Sequence, residues 1–333
     1  MRHGKDSSAA QRAVDQVSVG DRLMAGRTRV QVSVNRHQSF SSPPTDEFLL
    51  SVPSPTIPPG SSASSGRGAY ANLQAIGHGG FGQVFRGEMS RTGGSIPVAL
   101  KRALPSGKPG TNIKRHLDRQ IRRLDALQRE GKVYFSPTFN TGKCLHLALL
   151  YDVAQVRNSD GDSEPLLVMN WADGPGNTLK GWLQQNPHTN ITATIKERLG
   201  LAVQMLAGLR ELHYGSGSAP TTMPLFVHQD LKPENILLFG GGKGDGGPVR
   251  LALTDFGLTV QYNASKRNDT HNVGGGTPHY MSPEQWLRVP PISPGRDLWA
   301  AGMVLAQLFG GTTTHNALEQ YWRCIKRKGK SLK

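Results

Sequence analysis

The stretch AIGHGGFGQVFRGE places Gly77, Gly79 and Gly82 in G-x-G-x-x-G spacing. Glycines at such points let backbone amides approach phosphate oxygens with no Cβ in the way. A dinucleotide-binding fingerprint of the same spacing opens a helix after its last glycine. Here Val84, Phe85 and Arg86 follow and favour a strand, and Gly87 and the Gly93–Gly94 pair then supply turn signals. The expectation is a strand–loop–strand flap over phosphate; a plain glycine-rich hairpin turn is the other reading. Next comes VALK, Val98 to Lys101, a short apolar strand ending in a cation. A lysine so placed can hold nucleotide phosphates, while Ala99 leaves room for a planar base.

A second cluster lies downstream. HQDLKPENILL, His228 to Leu238, gathers Asp230, Lys232 and Asn235 in one short loop, and LALTDFGLTV puts Asp255 at the end of a short strand before Phe256 and Gly257. The elements that must position these groups are legible as patterns. TNIKRHLDRQIRRLDALQRE carries Ile113, Leu117, Ile121, Leu124 and Leu127 on one helical face. Gln120 shares that face and Asp118 does not, so this helix offers Lys101 an amide rather than a carboxylate. LLVMNWADG reads as a buried strand that breaks at a small polar linker, followed by helices over Thr178–Gln185 and from about Ile195 to His213. GTPHYMSPE (Gly276–Glu284) precedes DLWAAGMVLAQLF (Asp297–Phe309), which is apolar nearly all round, as a helix at the centre of a lobe would be.

The order G-x-G-x-x-G, VALK, H-x-D-L-K-P-E-N, DFG, GTP…PE and DxW resembles a eukaryotic protein kinase from about Tyr70 to about Phe309. DLKPEN and Thr277 resemble its serine/threonine branch. The resemblance implies an α+β, bilobal fold: a small antiparallel β-sheet N-lobe with one main helix, and a mostly helical C-lobe. It implies an enzyme that transfers the ATP γ-phosphate to Ser/Thr hydroxyls of protein substrates with Mg²⁺. Asp230 would accept or orient the hydroxyl proton, Lys232 would stabilise the γ-phosphate, and Lys101 would hold the α/β-phosphates under the Gly77, Gly79 and Gly82 loop. Asn235 and Asp255 would be the Mg²⁺ ligands. The adenine would lie between Ala99, Val84 and Leu237, against a hinge at Asn170–Ala172 behind Met169. Thr277 would link the substrate-binding loop to Asp230 and Lys232.

Three departures from the family pattern stand out. The Arg expected before Asp230 is Gln229. In the family that Arg pairs with a phosphorylated activation loop, so activity here is not expected to be switched that way. The hydroxyl candidates in 258–275 are Thr259, Ser265 and Thr270. Second, the helix Glu expected opposite Lys101 is Gln120, and an amide holds an ammonium about half as strongly as a charged partner does. Third, the chain runs only a short way past the central lobe helix, so the C-lobe is expected to lack its last helices and the Arg that would pair with Glu284. The last two features support an alternative reading, a weakly active or inactive nucleotide-binding scaffold. No acid stands at Gly176–Asn177, which argues against a strongly basophilic enzyme.

Composition frames these motifs. The chain has 333 residues, enough for a sizeable core, and a formal charge of +15. Residues 1–68 are rich in Ser, Pro and Gly and are expected to be a disordered extension. The kinase-like region spans 69–320, with an N-lobe over about 69–169 and a C-lobe over about 173–320. Residues 321–333 form a basic tail with six Lys/Arg and no acid, either a solvated end or a patch for an anionic partner. No specific nucleic acid is expected. Ser106–Gly110, Gly215–Pro224 and Gly240–Pro248 look like loop insertions. Cys144 and Cys324 have no metal or disulfide spacing, and neither an apolar leader nor a membrane span is visible, so an intracellular setting, cytoplasm or nucleus, is expected.

Overall fold

The computed structural model describes residues 30–32, 48–50, 63–65, 68–78, 82–91, 94–103, 122, 125–127, 129–134, 144–157, 163–188, 194–215, 226–241, 248–262 and 275–330. Gly79, Gln120, Ser265 and Thr270, all singled out above, lie outside the described residues. The chain divides into two compact units: residues 1–124 with 152–168, and residues 125–151 with 169–333.

The first unit is built on strands. β1 (Val30–Val32) and β2 (Phe48–Leu50) pair with each other alone. The main sheet runs β3 (Ala63–Ser65), β4 (Gly68–His78), β5 (Gly82–Arg91), β6 (Gly94–Ala103), β8 (Ser163–Asn170) and β7 (Leu150–Arg157), and closes where β3 pairs with β7. β5 and β6 stay in unbroken antiparallel register from Gly82↔Ala103 to Arg91↔Gly94. Alternation along β6 explains why. Val98 and Leu100 are buried whereas Ser95 and Pro97 are exposed, so over this stretch a slip by one residue would turn the core set outward; from Leu100 to Ala103 every residue is buried. Arg102 is admitted to that interior by pairing. Its Nη1 donates to Glu164 Oε2 at 2.8 Å, and Nε and Nη2 donate to Gln83 Oε1 at 3.0 and 2.8 Å. Tyr70 similarly donates its hydroxyl to buried Asp152 Oδ2 at 2.7 Å.

The second unit is mostly helical. Helices over Thr178–Gln185 and Ile195–His213 were expected; the structure has α1 (Leu179–Gln185), whose Thr178 Oγ1 caps the Gly181 amide at 3.2 Å, and α2 (Ile195–Tyr214). α3 (Pro283–Trp286) is a single turn capped by Ser282. α4 runs Gly295–Lys330 and is interrupted at Gly311, where φ is 81°. The central segment is less enclosed than its apolar sequence suggests. Ala300, Ala301, Met303, Val304 and Leu308 are buried, yet Leu298 and Trp299 are exposed. Two short antiparallel pairs, β9 (Phe226–Val227) with β12 (Val260–Gln261) and β10 (Ile236–Phe239) with β11 (Arg250–Leu253), flank the loops that matter below.

Arg198 ties three helices together. Its fully buried guanidinium donates to the carbonyls of Asn186 (2.6 Å) and Leu308 and, through Nε, to Thr194 Oγ1 at 2.8 Å. It also stacks 5.1 Å from the Trp182 ring. Burial pushes its pKa below the usual arginine value. Among the described residues no helix is long and apolar enough to cross a membrane.

Candidate active site

The loop 228–235 is held by side chains from distant parts of the second unit. Asp297, at the start of α4 and fully buried, accepts the backbone amides of His228 (2.7 Å) and Gln229 (2.8 Å), and His213 Nε2 donates to it at 2.7 Å. Those bonds hold Gln229 in the left-handed region, at φ 68°. A non-glycine residue there costs about 1–3 kcal/mol and persists only where its surroundings over-determine it. They do: Gln285 Nε2 donates to the Gln229 carbonyl at 2.7 Å and to Gly275 O at 2.8 Å. Gly276 packs on the same carbonyl at φ 114°, and a Cβ there would lie 2.8 Å from it, so only glycine fits.

His228 orients the next residue. The Asp230 amide donates to His228 Nδ1 at 3.3 Å, which leaves Nε2 as the donor to Thr254 O at 3.0 Å. Asp230 then meets three partners. Lys232 Nζ donates to Oδ2 at 2.8 Å, the Thr277 hydroxyl donates to Oδ1 at 2.8 Å, and Asn235 Nδ2 donates to the Asp230 carbonyl at 2.9 Å. Lys232 also donates to Thr277 Oγ1 at 2.8 Å. Acid, ammonium and hydroxyl thus form a closed triangle with little exposure, where a charge-assisted bond is stronger than in water.

Asp255 lies beside this loop through the backbone. Thr254 N donates to Asn235 O at 3.0 Å, and Asp255 adopts a left-handed φ of 63°. Phe256 anchors the turn: it is fully buried, edge-on to Tyr134 at 5.2 Å and tilted against His228 at 5.3 Å. Arg129 Nε donates to Gly257 O at 3.0 Å. Tyr134 is so enclosed that its pKa is pushed well above the usual tyrosine value by burial. Thr259 is buried with its hydroxyl toward His228 O at 3.5 Å. In the same unit Ala172, Phe239 and Ala252 form a small core with Leu237 packed against it. Met169 Sδ accepts from the Tyr134 hydroxyl at 3.4 Å, and Asn170 Oδ1 accepts the Leu149 amide at 3.0 Å.

In the first unit, sheet register assembles the other group. Val84 is the cross-strand partner of both Gly77 and Lys101, and Ala99 follows on the same face as Lys101. Lys101 is buried, and its Cε lies 2.7 Å from where a Cβ on Gly82 would be.

The chain from residue 70 to 329 matches the family model for the protein kinase domain. The chain belongs to the protein kinase family. Relatives of the serine/threonine type agree. Cell division control protein 2 homolog D of Antirrhinum majus is 28% identical over 251 residues, 74% of this chain and 67% of that protein. Cyclin-dependent kinase B2-1 of Arabidopsis thaliana is 28% identical over 253 residues, covering 74% and 67%. Serine/threonine-protein kinase PkaA of Streptomyces coelicolor is 28% identical over 272 residues, covering 78% and 43%. The chain therefore spans about two thirds of the plant relatives' length. The family's fold is α+β and bilobal, and its members generally use ATP and Mg²⁺ to act on proteins.

Within this kinase domain the motif residues of the second unit, Asp230, Lys232, Asn235, Asp255 and Thr277, converge. The sequence reading assigned no role to the residues that hold them: Asp297, Gln285, His213 and Arg296. DxW and GTP…PE stand in the sequence as motifs, and the Asp of DxW, Asp297, is the signal that could have pointed to one of these residues. Burial lowers the Arg296 pKa, and Glu284 is the foremost acid that offsets it.

Proposed function

We propose that this chain is a catalytically active protein kinase that transfers the ATP γ-phosphate to Ser/Thr hydroxyls of protein substrates. The observation that carries this reading is the Asp230–Lys232–Thr277 triangle, with each contact at 2.8 Å. Phosphoryl transfer needs little covalent help from the protein, so positioned charge is most of what a site must provide. When bound, Mg-ATP supplies the phosphoryl group and part of its charge neutralisation. Asp230 receives the hydroxyl proton of the substrate, a contribution of roughly 10²–10⁴ in rate. Lys232 neutralises charge on the transferring group, and Thr277 keeps the two aligned.

The donor set suits Mg²⁺. Asn235 spends its Nδ2 on Asp230, which leaves Oδ1 as an oxygen that could serve as a ligand, with Asp255 supplying the carboxylate in this reading. The reading assigns the phosphates to Lys101 and to the Gly77, Gly79 and Gly82 loop, and the base to Val84, Ala99, Met169, Asn170, Ala172 and Leu237. An intracellular setting is part of the proposal.

Purified chain is incubated with Mg-ATP and a generic Ser/Thr substrate mixture beside an Asp255→Ala control. Transfer that disappears in the control is the expected outcome. No transfer from folded wild-type protein assigns the chain to the nucleotide-binding scaffold instead.

A further inference from the structure

Position 229 is where the family carries a cation and this chain carries an amide, and the structure shows what the amide does. Gln229 Nε2 donates to Leu258 O at 2.8 Å, and Gln229 Oε1 accepts from Arg296 Nη1 at 3.1 Å. One side chain therefore gives a proton to the segment after Asp255 and takes one from the start of α4. Only a group that is donor at one end and acceptor at the other satisfies both neighbours. Arg296 is fully buried, and its Nη2 donates to Val289 O at 2.9 Å. Glu284 and Asp297 are the acids that oppose its burial. The buried cation beside position 229 is Arg296, carried on α4 and held there by its bonds to Gln229 and Val289.

We propose that Gln229 and Arg296 act together as positioning residues for Asp230, a permanent relay from α4 through the catalytic loop to Leu258 that works without a phosphate on the following segment. Two observations beyond the pair itself support this. The backbone of Gln229 is already held at φ 68° by Asp297 and Gln285, so the residue before Asp230 is set by intramolecular bonds alone. Thr259, the first hydroxyl after Leu258, faces inward to His228 O and is 2% exposed, so it is not presented for modification.

A counter-intuitive consequence distinguishes this relay from a simple loss of the family Arg. Restoring the cation as Gln229→Arg would bring two guanidinium groups together in a buried site and remove the Oε1 that accepts from Arg296. Like charges in such a place are disfavoured strongly, so the reversion is expected to harm the protein, and removal of Arg296 should relieve the harm.

The inference rests on the kinase reading, and the test separates the two. Four full-length proteins are compared after phosphatase treatment: wild type, Gln229→Arg, Arg296→Ala and the double variant. Thermal midpoints are measured for all, with kcat and KM for Mg-ATP on the Ser/Thr mixture. Unmodified wild type is expected to turn over within about twofold of the untreated protein. Gln229→Arg is expected to lose about 5 °C or more in Tm and about tenfold in kcat, with KM for ATP near wild type. The double variant should regain at least half of both losses. A Gln229→Arg protein as stable and active as wild type would overturn the relay, as would a double variant no better than Gln229→Arg, or phosphatase treatment that silences the wild type. If the wild type transfers no phosphate at all, the kinase reading fails while the four thermal midpoints still decide whether residues 229 and 296 are coupled.

Discussion

Two regions of this kinase domain place a motif lysine by different physics. Lys101 is set by strand register: β5 and β6 pair without a break over ten residue pairs, and the buried Val98 and Leu100 between exposed or half-exposed neighbours at 97 and 99 oppose a slip. Lys232 sits in a loop with no such ladder. It is placed by single bonds from remote side chains, among them Thr277 directly and Asp297 and Gln285 through the backbone of the preceding residues. A ladder spreads positional information over many weak, replaceable pairs, whereas a tied loop concentrates it in a few buried ones. The first should bend under substitution; the second should break.

The largest effect is expected at Asp297. Alanine there removes the acceptor of two buried amides and of His213, a loss of about 3–5 kcal/mol. Thermal unfolding should show Tm lower by about 10 °C or more, with phosphotransfer gone. Next comes Gly276→Ala, which drives a Cβ against the Gln229 carbonyl at a left-handed φ. A cost of about 2–3 kcal/mol and a fall in kcat should appear together, because the same contact holds the loop before Asp230.

The ladder side answers more mildly. In Gly82→Ala the new Cβ meets Lys101 Cε, the mobile end of a long side chain, with Arg102 O at 3.0 Å. Lys101 should shift rather than the sheet, raising KM for ATP about tenfold with a Tm change under about 2 °C. A stability loss like that of Asp297→Ala would break the comparison. The smallest effect belongs to Lys180→Ala. Its 2.9 Å bond to Glu234 joins residues as remote as those of the loop's ties, but both side chains are about half exposed. Less than about 0.5 kcal/mol should be lost, which would show that burial rather than reach gives the ties their weight.

Much of this was legible from residue types. The order of the motifs gave the family, and helices were legible over Thr178–Gln185 and from about Ile195 to His213. The role of Arg296 was not legible, since a cation one residue before Asp297 reads like any helix-start Arg until Gln229 and Val289 are seen around it. Nor was the enclosure of Thr259, which the sequence offers as an ordinary hydroxyl beside Ser265 and Thr270. The exposure of Leu298 and Trp299 ran against the all-round apolar pattern for the same reason: hydropathy records what a side chain prefers and carries no record of what packs against it.

The sequence by itself determined which chemical groups this protein has and in what local geometry they begin. Composition, periodicity and short motifs act through propensity and burial, and both operate over a few neighbouring residues. Only the tertiary structure decided that Asp297 holds the loop beneath Asp230 and that Gln229 answers to Arg296. Those are contacts between residues 67 to 69 positions apart. No local preference encodes them, because a hydrogen bond at that separation exists only once the packed core has brought both ends within about 3 Å.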